Sequence, residues 1–428
     1  MRRPRLVTTG NLLLFLAAVP LHAQTIDPQV LLDQARLKVS STVQHAPRYT
    51  CMETIERYWY VNRRSVRPGC DTDRPPQIND RDLVRTDRLR LDVAVGSGQE
   101  MFSWHGQKSF QTEEIDQLIT AGPISSGTYF SFLSSIFLEG VAKIDFRGVK
   151  NEAGKQLAAF GYSVPISESK FETRTDSGKD VMGYHGEFFV DRSTGELERL
   201  SILTDDMPES AQVCSFNSEA RYGTTRLNGA EFQLPINVVM DILHLNREQT
   251  RTVTQYRECR QFVGESVLRF DNAPAETART DPRPARTLPA GLQLQIRITS
   301  AMNPTTAWAG DPLQGELAAD VFDEHGTVLA PRGTPVEGRL LRVETWVRPA
   351  HFYTVALQFR GMRVEGEDYK LDLKSTMEPL SSDREQPPVR RRIQLSNPPI
   401  SDDPAACRFR LSDRQVNLKG VITYWITN

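Results

Sequence analysis

The sequence predicts a mainly β protein with few helices: a curved antiparallel half-barrel with a helical lid, followed by a small all-β barrel or sandwich. Three observations carry that expectation. Most of the chain alternates apolar and polar residues with period two, the pattern of half-buried strands. One short stretch, GTYFSFLSSIFLEG (127–140), breaks the period and is strongly apolar. A proline-rich interval, DNAPAETARTDPRPARTLPA (271–290), separates two strand-rich halves and reads as an extended linker over 269–290.

The N-terminus, Met1-Arg-Arg-Pro-Arg5, is cationic, residues 12–19 (LLLFLAAV) are apolar, and Ala23 precedes Gln24. Residues 1–23 therefore read as a secretory signal peptide, with an uncleaved anchor as the alternative. The apolar run is far below the roughly 20 residues needed to cross a bilayer. No cysteine near the cut offers a lipid attachment point. The expected location is the periplasm or the outer-membrane periphery, peripheral to the membrane at most. With 52 basic and 54 acidic side chains the net charge is −2, which gives no electrostatic basis for a nucleic-acid partner.

Within a first domain at 24–268, residues 26–44 place Val30, Leu31, Ala35, Leu37 and Val39 toward one side of a helix that starts at Asp27-Pro28. Strand alternation follows: Leu89, Leu91, Val93 and Val95 against Arg88, Arg90, Asp92 and Ala94. MGYHGEFFV (182–190) puts Met182, Tyr184, Phe188 and Val190 on one face, turns through Asp191–Gly195, and continues as LERLSIL (197–203). Further strands are expected at 99–104, 143–149, 158–165, 213–223, 231–243 and 251–262, with Asn228-Gly229 closing a hairpin. The second domain, 291–428, carries strand-like runs at 292–298, 313–322, 336–343, 352–360, 362–365, 369–374 and 421–427. Residues 380–404, rich in Ser, Pro, Asp and Arg, read as a mobile insertion.

In 127–140, Tyr129, Phe132, Leu133, Ile136 and Phe137 fall at i, i+3, i+4, i+7 and i+8, with Ser131, Ser134, Ser135 and Glu139 opposite. The spacing predicts an amphipathic helix, and TEEIDQLI (112–119) predicts a shorter one before it. Burying those five side chains is worth on the order of 8–15 kcal/mol, so the face must cover something apolar. Two readings stay open. The helix either fills the concave face of the sheet or forms a lid over a cavity that admits an apolar chain. In the second case these five residues are the ligand-binding candidates.

The chemistry-bearing residues do not assemble into a catalytic pattern. His45, His105, His185, His244, His325 and His351 are scattered singly, and neither HExxH, GxSxG nor a phosphate-binding glycine loop occurs. Ser167 and Lys170 match S-x-x-K without its companion elements. Asp71/Asp73 and Asp402/Asp403 lack the spaced ligands of a calcium loop. No cofactor, metal or enzymatic activity is expected. Of the five cysteines, Cys51, Cys70, Cys214, Cys259 and Cys407, an odd count leaves one thiol over unless it pairs between chains. The local pair Cys51–Cys70 is the first disulfide expectation. Cys214–Cys259 is weaker, because a meander would put a strand between them.

Two resemblances extend this reading. A leading helix, a curved antiparallel sheet and helices across its open side resemble the LolA/LolB-type lipoprotein-carrier fold. FFVDRSTGELERLSIL (188–203) resembles that family's strand–Asp-x-x-Thr-Gly–strand hairpin, and EFQLPINVVM (231–240), a strand carrying Leu-Pro after an Asn-Gly turn, is similar to a later strand there. The resemblance covers roughly residues 26–265 and implies a hollow that shelters an acyl chain or an apolar segment. Residues 288–343, with VLAPRGTPVEGRLLRV at 328–343, resemble the TrbI-type outer-membrane-complex domain of conjugation and type IV secretion machines. That implies docking to other envelope proteins. The expected function is a non-enzymatic envelope protein that binds a lipid, lipoprotein or apolar peptide in its N-terminal half and docks through its C-terminal half. The alternative is a structural or assembly adaptor with no ligand cavity.

Overall fold

The computed structural model describes residues 27–45, 47–63, 67–70, 81–96, 99–107, 110, 115–119, 122–124, 129–175, 178–205, 207, 209–261, 286–376, 380–381, 406–412 and 417–428. The signal segment, the linker up to residue 285, Asp71/Asp73, Asp402/Asp403 and nearly all of the 380–404 insertion lie outside them.

The chain opens with helix α1 (Pro28–His45), capped where Asp27 Oδ1 accepts the Gln29 N–H at 2.9 Å. It continues through β1 (Tyr49–Asn62), β2 (Arg81–Gly96), β3 (Gln99–Trp104), a helical segment, β4 (Lys143–Glu152), β5 (Lys155–Val164), the small hairpin β6 (Glu172–Thr175) and β7 (Gly178–Val181), β8 (Tyr184–Asp191), β9 (Leu197–Thr204), β10 (Val213–Leu227), β11 (Ala230–His244) and β12 (Gln249–Gln261). Ten of these strands form one antiparallel succession, β4-β5-β8-β9-β10-β11-β12-β1-β2-β3. Its strands reach 16 residues in β2, long enough for right-handed twist to curl the sheet into a trough. The succession does not close into a barrel. β3 pairs with β2 and β4 with β5, and the two do not pair with each other.

Local chemistry fixes the hairpins. Asn228 (φ 50°) and Gly229 (φ 81°) supply the two positive φ values of the β10–β11 turn. Between β8 and β9, Asp191 Oδ1 accepts from the Ser193 N–H (2.8 Å) and hydroxyl (2.6 Å). Gly195 completes that turn directly under α1, where an added Cβ would lie 3.1 Å from Gln34 Cβ. The glycine thus serves both the turn and the docking of the helix.

Helix α1 lies in the trough and buries Leu31, Leu32, Ala35, Val39 and Thr42. Val30 (50 % exposed) and Leu37 (73 %) point outward, contrary to the predicted face. At about 100° per residue the stripe 31-35-39-42 owns the buried side, and Leu37 is roughly 200° from Ala35. Apolar identity alone misplaced both residues.

The disulfides also differ from expectation. Cys51 joins Cys259, and Cys70 joins Cys214. Cys51 sits two residues into a 14-residue strand while Cys70 follows its far end, so the strand length itself holds the two apart. A bulge between Thr50 and Met52 instead sets Cys51 against Cys259 of neighbouring β12. Cys70 reaches Cys214 at the start of β10, near the point where the Gly69 N–H meets the Leu245 carbonyl at 2.9 Å. Cys214 and Cys259 are indeed separated by β11.

The C-terminal half contributes β13 (Arg286–Thr287), β14 (Gln293–Ile298), β15 (Pro312–Leu317), β16 (Val321–Phe322), β17 (Val328–Ala330), β18 (Pro335–Trp346), β19 (Phe352–Val364), β20 (Glu367–Lys370), β21 (Leu373–Ser375), β22 (Leu380–Ser381), β23 (Cys407–Leu411) and β24 (Ile422–Thr427). Pairings run β24-β14-β15-β18-β19, then through β20 to its continuation β21, which pairs back to β24. They enclose a core built on Ile296, Leu317, Val336, Phe359, Leu373 and Trp425. Gly333 (φ 86°) turns the chain ahead of β18, and Gly338 sits at a bulge where an added Cβ would lie 2.6 Å from the Gln358 carbonyl oxygen. Cys407 remains a thiol, buried in this core.

The two halves meet through backbone and charge. β2 pairs with the end of β18, Thr86 opposite Thr345. The Arg90 N–H donates to the Ala309 carbonyl (2.7 Å), whose own N–H donates to the Arg88 carbonyl (2.8 Å). Beside this ladder, Arg57 forks onto Asp87 (2.8 and 2.5 Å), and Arg85 donates to Glu344 (3.0 Å) while stacking 3.8 Å above Trp59. All four charged groups are buried. Glu344→Ala leaves Arg85 without its strongest counter-charge and is expected to cost about 3–5 kcal/mol in denaturant unfolding. The double variant Arg85→Met/Glu344→Leu should recover most of that loss.

Candidate functional site

The edge strands β3 and β4 lie at opposite ends of the ten-strand succession, yet they are consecutive in sequence. The described pieces of the chain between them pack against both walls of the trough. This strap holds α2 (Ile115–Leu118), α3 (Tyr129–Leu133) and a π turn, Ser134–Leu138.

Its apolar residues divide between two cores. Ile115, Ile119 and Phe130 join Tyr49, Cys51, Ile55, Leu91, Val93, Phe102 and Trp104 on the β1–β3 side. Leu133, Ile136 and Phe137 join α1, β5, β8 and β9 on the other. Phe137 packs on Phe188 at 4.7 Å, and Phe188 stacks on Phe160 at 5.1 Å. Phe132 is half-buried against Phe171 (5.3 Å) and Tyr184 (5.2 Å). Tyr129 begins α3, and its side chain lies outside the described residues. The expected continuous α-helix is thus two five-residue pieces. The Glu139 N–H reaches back to the Ser134 carbonyl at 2.9 Å, an i→i+5 bond. The wider turn lets three consecutive residues, Ser135, Ile136 and Phe137, all face inward, which strict 3.6 spacing forbids.

The described aromatic rings of the strap pack against the walls of the hollow. A cavity of about 160 Å³ lies between Val39 and Thr42 of α1, Leu133 of the strap, and Tyr222 and Phe232 of the β10–β11 hairpin. Lys38, Glu196 and Glu231 line its polar side, with Lys38 Nζ 3.6 Å from Glu196. A dry cavity of about 150 Å³ admits a benzene-sized group, whereas ligand pockets usually measure about 300–1,000 Å³.

On β1 and β3 lie two carboxyls that the sequence reading missed. Glu53 on β1 and Glu100 on β3 occupy inward registers among apolar neighbours: Glu53 follows Tyr49 and Cys51 at period two, and Glu100 precedes Phe102 and Trp104. Burial pushes each up to about 8; for Glu53, Glu100 adds to the rise and the Tyr256 hydroxyl opposes it. Tyr49, buried beside Glu100, is likewise raised. The signal for both was strand parity, readable once β1 and β3 are placed.

Other candidates lead elsewhere. Lys170 Nζ pairs with Glu139 (2.9 Å), and Ser167 sits exposed on a 3-10 turn, so no activated serine is formed. His105 meets Asp92 (2.9 Å) and His185 meets Asp205 (2.6 Å) as isolated pairs. Among the described residues no three His, Cys, Asp or Glu side chains converge as metal ligands, and no helix is long and apolar enough to cross a membrane.

This architecture defines an open β half-barrel with a strapped hollow. No protein-family profile matches the sequence, and no curated protein does. Among solved structures the chain is similar to a DUF1329 family protein from Desulfovibrio piger (TM-score 0.29, 10 % identity, covering 57 % of this chain and 97 % of that one). It is also similar to a putative outer membrane lipoprotein-sorting protein domain from Vibrio parahaemolyticus (TM-score 0.26, 10 % identity, 54 % and 92 % covered). A third is the lipoprotein LppX from Mycobacterium tuberculosis (TM-score 0.21, 11 % identity, 54 % and 97 % covered). At such TM-scores the likeness carries no argument about ligand or partner.

Truncating the strap tests its placement. Phe137→Ala is expected to cost about 3–5 kcal/mol in urea unfolding. The half-buried Phe132→Ala should cost roughly 1–2 kcal/mol.

Proposed function

We propose that the N-terminal half is a non-enzymatic binding module for an acyl chain or apolar segment, and that the strap is the displaceable occupant of its hollow. The observation that carries this reading is the strap's construction. It crosses from one edge strand to the other, and its helical pieces are four and five residues long. Helices that short have little stability of their own and depend on the surfaces they cover. A guest chain offering equal apolar area could take the place of Leu133, Ile136 and Phe137. The 160 Å³ cavity beside Leu133 is where its tip would start, at a rim open between α1 and the β10–β11 hairpin. The C-terminal half, tied to β2 by a shared ladder, would then carry the docking surface toward other envelope proteins.

A second reading is an assembly adaptor in which the strap is permanent core. The filled hollow, with Ile136 at 1 % and Phe188 at 0 % exposure, favours it.

The two readings separate on one experiment. The protein recovered from its own export compartment, or mixed with C16 fatty acid, is analysed by native mass spectrometry alongside Leu133→Trp, which fills the cavity. The carrier reading expects a bound acyl species that the folded Leu133→Trp variant loses by tenfold or more. Absence of any acyl adduct on the wild type, under conditions that preserve a control carrier's lipid, leaves the adaptor.

A further inference from the structure

The two edges of the ten-strand sheet are unlike. β3 is six residues long, and Met101 to Trp104 are buried. β4 runs for ten residues, seven of them exposed, and among the described residues it pairs on one side only, with β5. An edge strand presents a row of unpaired N–H and C=O groups to any strand that can lie beside it.

A bulge sorts the side chains of β4. Before it, Lys143 and Asp145 lie opposite Ser163 and Gly161 and face outward, while Phe146 lies opposite Phe160 of the hollow and packs on that ring at 5.4 Å. Arg147 is the extra residue, with its Nε 2.6 Å from where a Cβ on Gly161 would lie, and Gly148 (φ 117°) follows it. Beyond the bulge the parity is reversed. Val149 lies opposite Ala158 on the hollow side, and Lys150 opposite Leu157 on the outer side, its Nζ 4.8 Å from the Phe189 ring. Glu152 shares that outer side.

This arrangement makes β4 complementary to its own reverse. With a second β4 laid antiparallel about a two-fold axis between Arg147 and Gly148, Lys143 meets Glu152, Asp145 meets Lys150, and Phe146 meets Val149. Each pair occurs twice, and its members share a face. The bulge is what permits it, because in a regular strand an axis between adjacent residues would set inward side chains against outward ones. Slipped registers put like charges directly opposite each other. A shift of two residues one way opposes Lys143 to Lys150, and the other way opposes Arg147 to Lys150 and Asp145 to Glu152. Phe146 and Val149, 43 % and 46 % exposed, would cover each other across the junction. The charged groups also have exposed or half-exposed local partners, Asp145 with Arg147 (2.6 Å), Lys150 with Glu187 (3.5 Å) and Glu152 with Arg199 (3.2 Å). Carboxylates and ammonium groups keep capacity for a second partner.

We propose that β4 is a self-docking edge, through which two copies of this chain pair antiparallel in that register and join their troughs into one continuous sheet. An edge-strand contact belongs to the small interfaces, under about 1,200 Å², so the dimer exchanges with monomer. The proposal is independent of the carrier reading, since it leaves the strap and the cavity beside Leu133 untouched.

Sedimentation velocity of the full oxidised chain at low ionic strength, from about 1 to 200 μM, tests it. The average mass is expected to rise toward that of a dimer, and hydrogen exchange across 143–152 to slow as it does. Lys150→Glu opposes two carboxylates at each end of the junction, and Asp145→Lys opposes two ammonium groups; each should weaken association about tenfold. Asp145→Lys/Lys150→Glu, which reverses both pairs, should restore it. All three variants change exposed positions, and an unchanged thermal unfolding midpoint checks their fold. A monomer throughout the range, a dimer indifferent to either single change, a double variant no better than the single ones, or protection gained away from 143–152 would each overturn the self-docking edge.

Discussion

Ten strands that curl without closing leave a trough lined by Phe160, Tyr162, Tyr184, Phe188 and Leu200, and water cannot be left against that surface. The chain must cover it with its own residues or with a guest. α1 and the strap are the cover, and their other features follow from that duty. The strap has to link two edge strands that the sheet order holds at opposite ends. It therefore cannot be one regular helix, and it splits its apolar side chains between the two walls. The π turn at 134–138 resolves the conflict by presenting three successive residues to one wall.

Much of this was legible in the sequence, because period-two alternation survives burial on one face. β2, β5, β8 to β12 and β14 appear where alternation and turn chemistry put them, and Asn228-Gly229 and Asp191–Gly195 turn as their residues require. What failed, failed for non-local reasons. Val30 and Leu37 were placed inward on identity, but helix phase decides, and phase is set by what α1 packs against. The cysteine pairing follows strand order across β12-β1 and a bulge at Thr50, neither of which sequence proximity encodes. β23, pairing Cys407–Leu411 with β19, was missed because it follows a long polar stretch. Of the five strap residues, Leu133, Ile136 and Phe137 are buried and Phe132 is half-buried, although the periodicity behind them was not the observed one. Glu53 and Glu100 were passed over as ordinary polar positions. Their inward parity shows only after β1 and β3 are fixed in register.

The junction with the C-terminal half bears on the strap as well. Gly122, between α2 and α3 of the strap, lies over the Arg57 fork, where an added Cβ would come 2.6 Å from Nη1. Arg57 is bound to Asp87 on β2, and β2 is laddered to β18. The strap at Gly122 thus lies against the same buried charges that join the halves. A polar cleft of about 280 Å³ opens beside it, between Tyr58 and Arg88 of one half and Thr345 and Tyr353 of the other. The hollow is covered by short, divided elements on one side and tied to the charged ladder on the other.

Whether the strap is a cover or a core is decided most directly by a distance. Four of the five cysteines are in disulfides and Cys407 is buried, so spin labels can be placed selectively at Ser131→Cys on the strap and Arg226→Cys on the β10–β11 hairpin. The account predicts that saturating C16 fatty acid shifts the label separation to a longer population, in proportion to the acyl chain bound. A single unchanged distance in protein shown to carry the acyl chain would contradict it.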